Sequence, residues 1–381
     1  MRTMAGPKNR PTVVIPTTMD WDVVREGGTE TFVRALAAEA RHRSLPLVLL
    51  STGTRPSMDG SVEVRPVMDR ARTELAYIRR LRTALRRGEL ALPPRSVVLA
   101  NAEHYVWPFL TTPVPIVLYS HGAVPPTLRT TRGRAKTFLF ETALERRALA
   151  VASRIAVVSR GTGDYYRGKF PAFAGKIVEI PLGIEPAALP QDRQPSPAVD
   201  AGLGPGRPRI LLAGRLSPEK GLPLLLAACD ELRDRSPALQ LLVAGDGPMA
   251  AWLRREASTR PWVHCLGRLP RPQVFQVMLA SDVLAIASSY ESGPLVLLEA
   301  IGLGLPVVST RVGRAEELIT DANGVLAPAD AIGYAKAIAQ ALLLDRDVTW
   351  RQGREALAKM DFTRTADALL GLLVAAVGAS T

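Results

Sequence analysis

Short unbroken apolar runs alternate with helix-periodic stretches along the whole chain. Thr12 to Ile15, Pro46 to Ser51, Ser96 to Ala100, Ile116 to Tyr119 and Ile155 to Ser159 predict strands. Their continuous apolar character suits a sheet covered on both faces, hence a parallel one. Between the first two, Phe32, Val33, Leu36 and Ala40 line one face of a helix over Thr29 to Arg41. From Pro186 to Pro208 the composition shifts to proline and glycine, which predicts a linker without regular elements. The alternation then restarts. Arg209 to Ala213, Leu239 to Ala244, a run around Val263, Val283 to Ala287, Pro306 to Ser309 and Gly324 to Leu326 read as strands. Leu222 to Arg233, Met249 to Ala257 and Pro272 to Ala280 read as helices. Such repetition predicts an α/β protein of two doubly wound, Rossmann-like domains. The expected limits are 1–190 for the first domain, 191–207 for the linker and 208–355 for the second.

A length of 381 residues also favours two domains over one. A chain this long buries enough surface to need no metal or disulfide staple. Cys229 and Cys265 sit in apolar stretches and read as buried, reduced thiols. The only apolar run near the N-terminus is Val13 to Ile15, so no secretory leader is read there. No stretch reaches the ~18 apolar residues of a spanning helix. A cytoplasmic protein is the expectation.

The net charge is +12, and only seven of the 48 basic residues are lysine. The arginine codon bias of a GC-rich genome accounts for that total, so position matters more than sum. From Arg65 to Arg87 eight arginines face only Asp69 and Glu74, with Leu75, Ile78, Leu81 and Leu85 at helical spacing. Such a segment reads either as a surface helix packed on a sheet or as a basic helix touching anionic lipid on the inner face of the cell membrane. The packed helix is the commoner case. Zinc-finger spacing and RNA-binding aromatic motifs are absent, which argues against nucleic acid.

The chemistry concentrates at strand ends. Glu291 and Glu299 bracket Ser292-Gly293-Pro294-Leu295-Val296-Leu297-Leu298, with Pro294 suited to the first turn of a helix. The amides of Gly293, Leu295 and Val296 would then leave that helix start as anion donors. Two carboxylates for hydroxyls and several amides for phosphate match a sugar nucleotide. Gly214-Arg215-Leu216-Ser217-Pro218-Glu219-Lys220-Gly221 follows a strand and offers two cations to a departing diphosphate. Two solvated surface cations would look the same. Gly27-Gly28-Thr29-Glu30 opens the first long helix, where two adjacent glycines allow backbone to approach a ligand closely; a plain turn with an acidic first helical turn would look the same. His121 ends a strand, facing the ligand crevice of an open sheet, and His104 is similarly placed as an acceptor-side residue. Gly245-Asp246-Gly247-Pro248 reads as a turn without chemistry.

The order Gly-Gly-x-Glu, Ser-His-Gly, Gly-Arg-Leu-x-x-x-Lys-Gly, Gly-Asp-Gly-Pro and Glu-x7-Glu resembles the retaining glycosyltransferases of family 4. The likeness covers nearly the whole chain. It implies the GT-B fold, two Rossmann-like domains facing a cleft, with residues 356–381 crossing back to the first domain. It further implies a UDP- or GDP-sugar donor, a hydroxyl-bearing acceptor, and neither metal nor cofactor. By resemblance, Arg215 and Lys220 hold the diphosphate, Glu299 takes the ribose hydroxyls, and Glu291 contacts the donor sugar with amides near Gly293 and Leu295. Backbone at Arg268 and Leu269 meets the base, His121 faces the sugar, Gly28 approaches phosphate or acceptor, and Gly27 lies on the acceptor side. Where many members have Glu-Gly-Phe-Gly, this chain has Glu291-Ser292-Gly293-Pro294, and Pro294 removes one amide donor. Two other readings remain open: a nucleotide-sugar epimerase of the same fold, and a sugar-nucleotide or glycan-binding protein without catalysis.

Overall fold

The structure is a computed structural model that describes residues 10–21, 28–71, 73–122 and 134–378. Two compact units divide the chain. One runs to Pro181 and takes in the C-terminal segment from Thr363; the other is Leu182 to Phe362. The divisions thus fall at 181 and 362, where proline content and the last helix had suggested 190 and 355.

The first unit is built on an eight-stranded sheet. Its strands are β1 (Thr12–Asp20), β2 (Leu47–Thr52), β3 (Ser57–Asp59), β4 (Val62–Met68), β5 (Ser96–Ala100), β6 (Ile116–Ser120), β7 (Arg154–Val157) and β8 (Ile177–Glu179), in spatial order β3-β4-β2-β1-β5-β6-β7-β8. Every residue of β2, β5 and β6 is buried, as an unbroken apolar strand covered on both faces requires. The β3–β4 pair is antiparallel and the other pairings are parallel. Strand β4 occupies ground that the arginine count assigned to a helix. The helix itself is shorter, Glu74–Arg86, and Thr73 caps it by accepting from the Ala76 amide at 3.2 Å. Tyr77, Ile78, Leu81 and Ala84 face the core, while Leu75 is exposed. The apolar stripe is therefore packed on the chain's own sheet, and Arg79, Arg80, Arg86 and Arg87 point outward. The last helix, Phe362–Gly378, buries Ala366, Leu369, Leu373 and Ala376 on one side. Thr365 Oγ1 donates to the Pro181 carbonyl at 2.8 Å, and Asp367 pairs with Arg43.

The second unit holds six parallel strands: β9 (Arg209–Ala213), β10 (Gln240–Ala244), β11 (Val263–Gly267), β12 (Val283–Ile286), β13 (Val307–Ser309) and β14 (Gly324–Leu326). Their order is β11-β10-β9-β12-β13-β14. The expected linker is not irregular: Pro197–Gly202 is helical, and Arg209 pairs with Asp200 to bind it to the sheet. Proline at the first helical position has no N–H to lose, so it starts this turn instead of preventing it. Cys229 is buried as expected, but Cys265 is exposed on β11, the edge strand of this sheet. Among the described residues no helix is long and apolar enough to cross a membrane.

In each unit strand order reverses beside the first strand, at β1/β5 and at β9/β12. In an open parallel sheet the loops leaving such neighbours diverge and open a crevice at the carboxyl edge.

Candidate functional site

The loops after β9 and β12 carry Arg215, Lys220 and Glu291, so the second switch point gathers the residues singled out by spacing. Gly221 stands at φ +67°, and a Cβ there would lie 1.9 Å from the Ala287 carbonyl oxygen. Only glycine permits this approach, which brings the β9 loop against the end of β12. The Ser289 amide then donates to the Glu219 carbonyl at 2.8 Å, locking the two loops together. As a result Lys220 Nζ donates to Glu291 Oε1 at 2.5 Å. Ser288 Oγ donates to the same oxygen at 2.9 Å. Arg215 is exposed on this rim, and its guanidinium has no ion-pair partner among the described residues.

The Gly245-Asp246-Gly247 turn supports that arrangement. The Leu216 amide donates to the Asp246 carbonyl at 2.9 Å, and the Met249 amide returns to Leu216 at 2.8 Å. A Cβ on Gly245 would sit 1.8 Å from the Gly214 carbonyl oxygen. The turn thus holds the Arg215 loop backbone to backbone.

Helix Leu295–Gly302 follows β12, with Pro294 as its N-cap at φ −67° and ψ 119°. Pro294 lies one position before the first turn in which it was expected. The amide it lacks is therefore outside the helix, and those of Leu295 and Val296 remain at the helix start, where intrahelical geometry offers them no acceptor. Gly313, at φ +56°, lets its loop close on this start: a Cβ would be 3.2 Å from the Glu291 carbonyl and from Pro294 Cδ. Glu299 is 7% exposed, and Arg271 donates to its Oε1 at 2.9 Å while the same guanidinium stacks over Phe275 at 5.3 Å. Arg271 opens the helix Arg271–Leu279 that follows β11. Sequence reasoning passed over it; one arginine among many carries no spacing signal. Arg268 and Leu269 lie between β11 and that helix, Arg268 exposed and Leu269 half-buried.

The first unit carries the other candidates. His121 follows β6, its ring edge-on to Phe32 and Tyr119 at 4.9 and 4.8 Å. Desolvation lowers its pKa to about 4, so the imidazole is neutral near pH 7, and Nε2 has no hydrogen-bond partner. His104 belongs to the 3₁₀ helix Glu103–Phe109, its Nε2 3.7 Å from Glu74 Oε2. Gly28 is the first residue of the helix Gly28–His42, and Gly27 lies outside the described residues. No group of three or more His, Cys, Asp or Glu side chains is placed to hold a metal ion among the described residues.

Residues 207–343 match the family described as glycosyl transferases group 1, and residues 26–188 match Glycosyltransferase Family 4. The chain belongs to this family. A D-inositol 3-phosphate glycosyltransferase of Nocardia farcinica is 31% identical over 243 residues, 59% of this chain and 53% of that protein. The chain thus spans about half the length of the curated relatives it matches. Sucrose-phosphate synthase of Thermosynechococcus elongatus superposes with a TM-score of 0.79 at 20% identity, covering 98% of this chain and all of that one. HepE of Anabaena, solved with UDP-glucose, gives 0.71 at 19% identity, covering 96% and 99%. These likenesses show the GT-B fold.

Proposed function

We propose that the chain is a retaining glycosyltransferase that moves a sugar from a UDP- or GDP-sugar to an acceptor hydroxyl. The observation that carries this reading is the meeting of Lys220 and Glu291 at the β9/β12 switch point, 2.5 Å apart, with Arg215 on the same rim. One loop pair then offers cations for a diphosphate and a carboxylate for sugar hydroxyls. Family membership supports the reading, as do relatives named as transferases and synthases and the UDP-glucose held by HepE.

In the proposed step, the glycosidic bond to the diphosphate breaks as the acceptor hydroxyl attacks from the same face. Negative charge grows on the diphosphate, and Arg215, Lys220 and the amides of Leu295 and Val296 stabilise it more as it leaves. The departing phosphate oxygen takes the acceptor proton, so neither a metal nor a protein base is required. Glu299 receives the ribose hydroxyls, and Glu291 orients the donor sugar once Lys220 turns to phosphate. Arg268 and Leu269 contribute backbone to the base, and neutral His121 hydrogen-bonds a sugar hydroxyl. The exposed arginines of 65–87 allow contact with an anionic membrane surface, which vesicle sedimentation at low and high salt would register.

Incubation with UDP-, GDP- and ADP-sugars and a panel of hydroxyl acceptors, read by NMR at the anomeric proton, tests the reading. An α-linked donor should give an α-linked product, with and without EDTA. An inverted product contradicts the mechanism, and sugar isomerisation without acceptor contradicts the transfer itself.

A further inference from the structure

The chain enters the second unit at Leu182 and leaves it at Phe362. These two ends of the unit are bonded to each other. The Ile184 amide donates to the Met360 carbonyl and the Phe362 amide to the Ile184 carbonyl, both at 2.8 Å. Gly183 permits this approach, since a Cβ there would lie 2.5 Å from the Met360 carbonyl oxygen. Leu182, Ile184, Met360 and Phe362 are all buried. A short parallel bridge between Ile184 and Asp361 thus closes the unit where the chain passes in and out.

Arg314 connects this bridge to the candidate donor site. Its Nη1 donates to the Leu182 carbonyl at 3.2 Å across 132 residues of chain, and its Nε donates to Glu317 Oε2 at 3.3 Å, which aims the guanidinium. The side chain is 13% exposed, so solvent screens this charge-assisted bond little. Arg314 ends the loop that follows β13. The start of that loop is stitched to the loop after β12: the Thr310 amide donates to the Ile286 carbonyl at 3.0 Å, and Thr310 Oγ1 donates to the Ser288 carbonyl. Between the two anchors, Gly313 lies against the Glu291 carbonyl and Pro294. The backbone that packs on Glu291 and on the start of helix Leu295–Gly302 is therefore tied at its far end to Leu182. A side chain makes that tie, so a substitution can remove it and leave both backbone anchors in place.

We propose that Arg314 is a positioning residue for transfer, coupling the loop packed on Glu291 to the Ile184–Asp361 bridge, so that a nucleotide held at the β9/β12 switch point steadies the bridge. This rests on the glycosyl-transfer reading and adds to it a residue that acts through others. Coupling of this kind is reciprocal: the bridge acts on the nucleotide by the same factor as the nucleotide acts on the bridge. A small factor leaves nucleotide affinity nearly unchanged, while a slight displacement of Glu291 weighs far more on the reacting geometry.

Hydrogen exchange of the peptides spanning Ile184 and Phe362 tests this, with and without saturating UDP, GDP or ADP, in wild type, Arg314→Ala, Arg314→Met and Arg314→Lys. Nucleotide affinity is measured by calorimetry, and initial rates are taken with the donor and acceptor found by the anomeric-proton assay. Bound nucleotide should slow exchange at both amides at least about threefold in wild type. Arg314→Ala should bind the nucleotide within about threefold of wild type, lose the slowing, and lower kcat about tenfold with donor KM nearly unchanged. Arg314→Lys, which can still donate to the Leu182 carbonyl, should recover part of both. If Arg314→Ala does not fold, Arg314→Met, which keeps the stem and loses the donors, decides on the same terms. Failure of both to fold would mean a purely structural residue and overturn the proposal. So would unchanged exchange in nucleotide-bound wild type, slowing that persists in Arg314→Ala, or a rise in donor KM that matches the fall in kcat. Wild type that binds none of the three nucleotides would overturn the transferase reading as well, whereas tight binding without slowing overturns this proposal alone.

Discussion

Lys220 Nζ and Glu291 Oε1 lie 2.5 Å apart although 71 residues separate them in the chain. The contact crosses the β9/β12 switch point and ties the cation we propose for phosphate to the carboxylate we propose for sugar. Without ligand, each neutralises the other in a half-buried place. In the proposed reading a diphosphate arriving there would compete with Glu291 for Lys220 and free the carboxylate for hydroxyls. Lys220→Ala should lower kcat about 10²- to 10³-fold, the usual cost of removing one group that stabilises developing charge. Glu291→Gln keeps an acceptor for Ser288 Oγ but removes the negative charge that holds Lys220. It should bind UDP or GDP at least as tightly as wild type while transferring far more slowly. Calorimetric titration and initial rates measured together check both.

Arg271 holds the buried Glu299 carboxylate. Arg271→Ala should weaken a ribonucleoside diphosphate about tenfold and its 2′,3′-dideoxy analogue by much less, because the loss is that of an oriented ribose acceptor. Arg271→Lys should restore part of the difference. Equal weakening of both nucleotides would mean that Arg271 only supports the fold.

Gly221 and Gly371 should respond to alanine with opposite signs. A Cβ on Gly221 meets the Ala287 oxygen at 1.9 Å in a left-handed backbone. Gly221→Ala should cost at least about 3 kcal/mol and abolish transfer by parting the two loops. Gly371 lies within the last helix with open space around it. Gly371→Ala should stabilise by about 0.5–1 kcal/mol. Denaturant midpoints give both values.

His121 has a pKa of about 4 in the folded protein, held down by desolvation, against about 6.5 for an unfolded histidine. Between these values the unfolded chain binds the extra proton, so this residue makes stability fall as pH drops from about 6.5 towards 4. His121→Phe should flatten the stability profile over that window and leave it unchanged above pH 7. Unfolding curves from pH 4 to 8 measure it.

Strands Ser96–Ala100 and Arg209–Ala213 have the limits read from sequence, because an apolar run bounded by polar residues admits few alternatives. Strand β4 was not legible. Its Val62, Glu63, Val64, Arg65 alternation sits beside a run of arginines that suggested a helix, and only the Arg65–Glu63 pair and β2 reveal the strand. Pro197 marked a break by composition and starts a helix in the structure. At the site, the motifs placed Arg215, Lys220 and Glu291 each at a strand end. That β9 neighbours β12 is a matter of sheet order, and so is the ion pair it creates. Arg271 carried no motif and is known by its carboxylate partner.

The most direct measurement is calorimetric titration of UDP, GDP and ADP, with their glucose derivatives, into wild type and Lys220→Ala at fixed salt. The expected result is saturable binding of at least one nucleotide to wild type with a Kd below about 1 mM, at least about tenfold weaker in a folded Lys220→Ala variant. Equal binding by the two proteins, or no binding of any nucleotide to wild type, would contradict a diphosphate site at the β9/β12 switch point.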